Sequence, residues 1–297
     1  MIGAPSSAPA HRAGSARPAR TLWQRLASLP GALLTMFTLL AAGAWVFPLY
    51  WAFVTSIKPE NDTVALPPTL WPQTVDFGAY TYIFQNSPIV RWYLNSVFSS
   101  LAITLLVLLL SMTCAYALSQ LQFRGRRALY GVILAGFMIP FQASLIPLFI
   151  LVNKLGLVNH MLGLILPQLA APVAVVIYKQ FFDQIPPALG DAARIDGASE
   201  ARVLFGIYLP LNWSITFSLA IVTFIAAWNN FLWPFIVMND TSNLTIPVGI
   251  TQVQSAYGVA YAKTMATAVT AAVPTILAYL IFQRRVTEGV MASAGLK

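Results

Sequence analysis

Residues Ile185–Pro210 read I-P-P-A-L-G-D-A-A-R-I-D-G-A-S-E-A-R-V-L-F-G-I-Y-L-P. Five of them are formally charged: Asp191, Arg194, Asp196, Glu200 and Arg202. The chain around them has 297 residues, of which 58% are hydrophobic and only 9% charged. An ordinary soluble domain carries about 25% charged residues. A charged, helix-permissive island in such a chain lies outside the bilayer, and the apolar runs on either side of it cross the bilayer.

Six such runs are present: Leu33–Val54, Ser96–Leu118, Leu129–Val152, Leu162–Tyr178, Leu211–Met238 and Met265–Phe282. None contains Asp, Glu, Lys, Arg or His. A helix needs about 20 residues to cross about 30 Å of hydrocarbon. The fourth and sixth runs are short without flanking residues, and the fifth is long enough to tilt. Continuous runs, rather than ten-residue alternation, favour helices over a barrel. The expected architecture is an all-α integral membrane domain of six transmembrane helices over residues 29–297, with the charged island 185–210 between the fourth and fifth.

Positive charge orients such a domain, with Lys and Arg concentrated on the cytoplasmic side. Thirteen of the seventeen Lys and Arg fall in the N-terminal segment, the 119–128 and 179–210 loops and the C-terminus. Lys58, Arg91, Lys154 and Lys263 lie on the other side. Both termini and the island are therefore expected in the cytoplasm. Residues 1–28, rich in Ala, Pro, Ser and Arg, are expected to be a flexible retained tail, because the apolar run behind them is too long for a signal peptide. The outer loops, residues 57–90 and 239–263, are expected to be solvated connectors or docking surfaces. The net charge of +8 flanks apolar segments and is no nucleic-acid footprint.

Within the island, Pro186 and Pro187 suit the first turn of a helix. Gly197 permits the positive φ that ends it. Asp196 or Ser199 can cap a second helix starting near Ala198, and Pro210 marks its boundary with the next span. The small residues Ala192, Ala193 and Ala198 leave room for another surface. On physical grounds alone, an interfacial connector and a docking element remain equally open.

The pattern D-A-A-x-x-D-G-A, followed by I-Y-L-P, resembles the EAA loop of permease subunits of binding-protein-dependent ABC importers. It falls on Asp191, Ala192, Ala193, Asp196, Gly197, Ala198, Ile207, Leu209 and Pro210. Asp191 stands where that family usually has Glu. Further stretches resemble its carbohydrate-uptake branch, in particular the smaller six-span maltose-type subunit: Ile146–Asn159, Leu162–Pro167, W-N-N-F-L-W-P at Trp228–Pro234, and the ending F-Q-R-R-V-T-E-G-V-M-A-S-A-G-L-K. The resemblance covers nearly all of the chain from about residue 30.

The resemblance implies a permease that moves a sugar or oligosaccharide into a bacterial cell through the inner membrane. Its implied partners are a second permease subunit forming a heterodimer, two ATP-binding subunits, an extracytoplasmic sugar-binding protein and membrane lipid, with no nucleic acid. It implies that residues 185–210 are the coupling helix seated on an ATPase subunit, and that residues near Ser293–Lys297 reach into the ATPase dimer. ATP and Mg would be used by those partners, with no cofactor bound here. The sequence agrees that this chain is not the ATPase, since no G-x-x-x-x-G-K-[ST] occurs.

In the fifth run, Asn229 and Asn230 must find partners within an apolar helix. They serve as helix–helix glue or, with Trp228 and Trp233, line a sugar pathway. The family often has Asp where Asn230 stands. The only histidines, His11 and His160, and the single Cys114 form no nucleophilic or metal-ligand pattern. Alternative readings are a permease for a glycerophosphodiester or polyol, a stand-alone secondary transporter and a scaffold. The absence of ionisable residues in the spans weighs against a proton-coupled transporter.

Overall fold

The computed structural model describes residues 29–253 and 260–293. The expected N-terminal tail (1–28), part of the second outer loop (254–259) and the last four residues (294–297) lie outside them. All regular elements among the described residues are helical.

Helix α1 spans Leu29–Ser56. Its residues up to Trp51 belong to a first structural unit and the remainder of the chain to a second. Within the first unit α1 carries no charged side chain, and its Leu, Phe and Val residues from Leu33 to Phe47 are exposed. Thr35 and Thr38 donate their hydroxyls back to the carbonyls of Gly31 and Leu34, at 2.9 and 2.8 Å. That disposes of two polar groups on an apolar rod.

The second unit is arranged around α3 (Ile89–Gln120), a helix of 32 residues. Its buried residues follow a three-four spacing: Ile89, Trp92, Ser96, Ser100, Ile103, Val107, Ser111, Ala115 and Leu118. Serine and alanine in that stripe let neighbouring backbones approach closely, which is how apolar helices pack without a hydrophobic driving force. Helices α7 (Pro172–Phe182) and α11 (Trp213–Trp228) pack on it, and α14 (Tyr261–Ser293) packs on α11 and on α2 (Gly78–Asn86).

Several expected continuous spans are broken instead. The run 129–152 divides into α4 (Arg126–Met138) and α5 (Phe141–Lys154), bent by 102°. The cause is Pro140, whose ring forces Ile139 out of the helical region, to φ −85° and ψ 115°. The run 162–178 divides into α6 (Met161–Ile165, continued by a tight turn to Leu169) and α7, bent by 45° before Pro172. Pro147 and Pro274, by contrast, sit inside their helices. The run 211–238 breaks twice, at Asn212 and again at Asn229–Phe231, leaving α11 and the short α12 (Leu232–Val237). Among the described residues, two unbroken helices are long and apolar enough to cross a membrane, and up to five spans result when each bent pair counts as one. The sixth expected stretch lies within the 33-residue α14.

The segments expected to be outer loops are in part packed rather than solvated: residues 73–78 are exposed, but parts of 79–89 and 244–253 are buried. Leu244, Ile246 and Val248 are buried beside Trp92, in a core that also takes Ala79 and Ile83 of α2. Residues Ile246–Gly249 form a short helix, α13. Trp92 donates its indole N–H to the Thr241 carbonyl at 2.6 Å, and Ser96 Oγ accepts the Ile246 N–H at 2.8 Å. Asn159, in the left-handed region at φ 62°, accepts the Asn239 and Asp240 amides on its Oδ1 at 2.6 and 2.9 Å. The α5–α6 turn is thus stitched to the segment after α12.

Gly249 lies directly on the Trp92 ring: a Cβ there would come within 2.2 Å of Trp92 Cε3. The ring is buried and its N–H committed, so it has nowhere to move. Gly249→Ala is expected to destabilise the chain by about 1–3 kcal/mol, the usual cost of overpacking. Thermal unfolding of the detergent-solubilised protein measures this, and an unchanged midpoint would contradict the packing described.

Candidate coupling site

Residues 185–211 form an elbow of short helices that turns at Gly197. Helix α8 (Pro187–Ile195) starts after Pro186, with Pro187 where no amide is required. It ends with paired bonds: the Gly197 N–H donates to the Arg194 carbonyl at 3.0 Å, and the Ala198 N–H to the Ala193 carbonyl at 2.9 Å. That pattern needs a left-handed residue, which Gly197 supplies at φ 79°. Ala193 and Ala198, which the motif shares, are half-buried at the elbow against one core.

The next helix is capped by Ser199, whose Oγ accepts the Arg202 N–H at 3.4 Å. Asp196 is occupied as the end of α8 and caps nothing. Helix α9 (Glu200–Val203) runs into a widened turn over Leu204–Tyr208, in which the Leu209 N–H reaches the Leu204 carbonyl, and then into α10 (Leu209–Leu211). The expected boundary at Pro210 is therefore displaced. The widened turn accommodates Pro210 within the helix, and the chain turns by 85° at Asn212. There Asn212 Nδ2 donates to the Tyr208 carbonyl at 2.8 Å.

Arg194 holds the elbow closed. Its Nε donates to Glu200 Oε1 at 2.8 Å, Nη2 to Glu200 Oε2 at 3.1 Å and Nη1 to Asp191 Oδ1 at 2.9 Å. Its Nη2 also reaches the Tyr116 hydroxyl of α3 at 3.3 Å, and that hydroxyl donates to Glu200 Oε2. One fork thus ties α8, α9 and α3 together. Gly190 leaves the space this needs, because a Cβ there would sit 3.2 Å from Arg194 Nη1 and 3.4 Å from the Tyr208 hydroxyl. Below the fork, the rings of Tyr116, Phe182 and Tyr208 meet edge to face at 5.2–6.5 Å. Tyr208 donates to Gln120 Oε1 at 2.7 Å.

The motif residues divide accordingly. Ala193, Ala198, Ile207 and Leu209 turn inward onto this core. Asp191, Ala192, Asp196, Gly197 and Pro210 are exposed. Asp191, expected to meet a partner, is paired with Arg194 inside the elbow. The motif's unspecified positions, Arg194 and Ile195, have distinct placements. Arg194 makes the fork, and Ile195 stands 86% exposed. The charge alternation D-x-x-R-x-x-x-x-x-E was the available signal for the fork.

The pathway candidates are placed differently from their expected setting inside one helix. Asn229 ends α11, donating to the Ile225 carbonyl at 3.0 Å. Asn230 lies in the break, with Nδ2 donating to Gln168 Oε1 at 2.7 Å and Oδ1 accepting the Trp233 N–H at 3.4 Å. Trp228 and Trp233 are 2% and 0% exposed, and their indole N–H groups donate to the Ala271 and Gly163 carbonyls at 3.2 and 3.1 Å. Neither ring offers a face in this conformation. Gln168 escaped the sequence reading, although a lone amide in an apolar run was its signal. Gln168, Asn230 and Thr223 border a cavity of about 300 Å³ walled by Ala171, Ala174 and Ala227.

Electrostatics give the elbow a pH dependence. The Arg194 guanidinium, aided by the Tyr116 hydroxyl, lowers the Glu200 pKa below its ordinary value of 4.5. A depressed carboxylate stabilises the fold above its unfolded pKa, and that stabilisation is lost as pH falls through the folded pKa. Amide exchange at Ala198–Val203 is therefore expected to stay slow at neutral pH and to accelerate below about pH 4.5. In Glu200→Gln exchange should be faster at neutral pH and lose this acid step. An identical acid step in the variant would assign it to another group.

With the geometry in place, comparison with known proteins is direct. Residues 107–287 match the family described as binding-protein-dependent transport system inner membrane component. The arabinooligosaccharides transport system permease protein AraQ of Halalkalibacterium halodurans is 36% identical over 260 residues, spanning 86% of this chain and 93% of that protein. The lactose transport system permease protein LacG of Rhizobium radiobacter is 32% identical over 254 residues, spanning 86% and 92%. The fold matches a crystal structure of a bacterial ABC transporter that imports the acidic polysaccharide alginate, with a TM-score of 0.77 at 22% identity over 90% of this chain and 99% of that one. The chain belongs to the family of inner-membrane components of binding-protein-dependent transport systems.

Proposed function

We propose that this chain is the permease subunit of an ABC importer that moves a sugar or oligosaccharide into the cytoplasm, driven by ATP hydrolysis on partner subunits. The observation that carries the coupling role is the two-sided elbow of residues 185–211. Its inner side is locked to α3 and α7 by the Arg194 fork and the aromatic cluster. Its outer side presents Ala188, Ala192 and Ile195 at three- and four-residue spacing along α8. A rigid knob with small neighbours suits a cleft in an ATPase subunit, and a lever locked at its base passes displacement on to the spans. The sugar reading is supported by what AraQ and LacG are named for.

In the proposed assembly the chain contributes six spans, with the bent pairs each counted as one and α14 as the last. Both termini and the elbow face the cytoplasm, as the distribution of Lys and Arg argues. A second permease subunit completes the pathway, two ATP-binding subunits sit below it and an outer sugar-binding protein delivers substrate. Asn229 and Asn230, with Gln168, are the polar groups offered to the pathway. Trp228 and Trp233 would take part after a rearrangement that frees their rings.

Ile195→Asp should leave the fold intact, because the side chain is exposed, yet lower ATP-driven uptake of the cognate oligosaccharide at least about tenfold in the reconstituted complex, equivalent to about 1.4 kcal/mol. Gly197→Val, placed in a left-handed conformation that costs an L-residue about 1–2 kcal/mol, should uncouple ATP hydrolysis from uptake. Co-purification of the ATPase subunits, hydrolysis and uptake are measured together. Normal values for all three in both variants would remove the elbow from the coupling path.

A further inference from the structure

One cavity among the described residues lies apart from both the elbow's outer face and the pathway residues. It has a volume of about 770 Å³ and lies where the loop after α3 turns into α4, next to α7. Three cations line it: Arg126, Arg127 and Lys179. Its apolar wall includes Leu118, Phe123 and Tyr130. Arg126 spends two of its five N–H donors on the Ser119 and Leu121 carbonyls, at 3.1 and 3.2 Å. Lys179 is paired with Asp183 at 2.6 Å and lies 5.1 Å from the centre of the Tyr130 ring. Arg127 is exposed, and its guanidinium makes no hydrogen bond or ion pair among the described residues.

Two independent features point to the ligand's character. The thirteen-residue α4 opens at this cavity after Gly125, at φ 89°, with no side chain capping its first amides. Uncapped amides and the helix dipole favour an anion there. From the same end, α4 runs away without a single buried residue, and Leu129 and Val132 are exposed along it. A free anion has no use for that apolar track. A molecule with an anionic head and hydrocarbon chains uses both.

We infer that this cavity is a binding site for the headgroup of an anionic phospholipid, its phosphate on Arg127, Arg126 and the opening turn of α4, its acyl chains along α4. Basic pockets between helices at the inner membrane surface hold such headgroups. The cytoplasmic leaflet as its source follows from the orientation proposed above. The binding itself does not depend on that orientation, nor on transport.

The test uses the full chain purified in detergent, titrated with phosphatidylglycerol, phosphatidylcholine or inorganic phosphate, with bound lipid counted by native mass spectrometry. Phosphatidylglycerol is expected to bind selectively, and Arg127→Gln to weaken it at least about fivefold, the effect of about 1 kcal/mol per basic residue. Arg127→Glu should weaken it further. Arg124→Gln removes the same charge from the same loop but outside the cavity, and should leave binding unchanged. Equal weakening by Arg124→Gln would reduce the effect to diffuse surface charge and overturn the site. So would equal binding of phosphatidylcholine, or displacement of phosphatidylglycerol by equimolar inorganic phosphate. Unchanged lipid binding in Arg127→Gln, with loss of ATPase-subunit co-purification, would assign the cations to a protein partner instead. The assay reads lipid on one chain, so failure here leaves the importer reading untouched.

Discussion

Every backbone N–H and C=O that enters hydrocarbon must be paired within the protein, and the structure is shaped by how that constraint is met where helices stop. At Pro140 the helix ends with the Ile139 amide on the Gly136 carbonyl. At Asn212 a side-chain amide takes the Tyr208 carbonyl. At Asn229–Phe231 the free groups are shared among Asn230, Gln168 and the Trp233 amide. Asn212, Asn229, Asn230 and Gln168 supply side-chain amides at these breaks. Two of the amides named as glue or pathway residues therefore have the same immediate duty, which is to let an apolar helix change direction.

The same economy governs the elbow. Surface ion pairs are individually worth about 0–1 kcal/mol, so the Arg194–Asp191 and Arg194–Glu200 contacts do not hold it by strength alone. Geometry makes the difference: a bidentate fork restrains both helices at once, and the Tyr116 hydroxyl binds that fork to the long central helix. The buried rings of Tyr116, Phe182 and Tyr208 then resist tilting. The outcome is a small body fastened to α3 and α7 through Tyr116 and Phe182.

The charged surface around α4 belongs to a different problem. Helix α4 packs only Tyr130 and Ile133, half-buried, against the core and leaves Leu129 and Val132 exposed. Cations lining the cavity at the start of α4, beside its exposed apolar side chains, match the chemistry of the boundary between headgroup and hydrocarbon.

Composition and hydropathy alone determined that this is a helical membrane protein, because a chain so poor in charge cannot remain in water. The Asp191–Pro210 signature carried the family, because Gly197 and its alanine neighbours are the residues that the elbow's left-handed turn and close packing require. The tertiary structure alone decided the rest. Hydropathy is blind to direction, so a run such as 129–152 or 211–238 reads the same whether it is straight or sharply bent. Proline is ambiguous in the same way: Pro140 breaks a helix, while Pro147 and Pro210 are absorbed. The burial of Trp228 and Trp233 and the partnership of Gln168 with Asn230 also lay beyond one-dimensional reading. The tryptophans and the amide pair depend on residues tens of positions away, and sequence order carries no record of which surfaces meet.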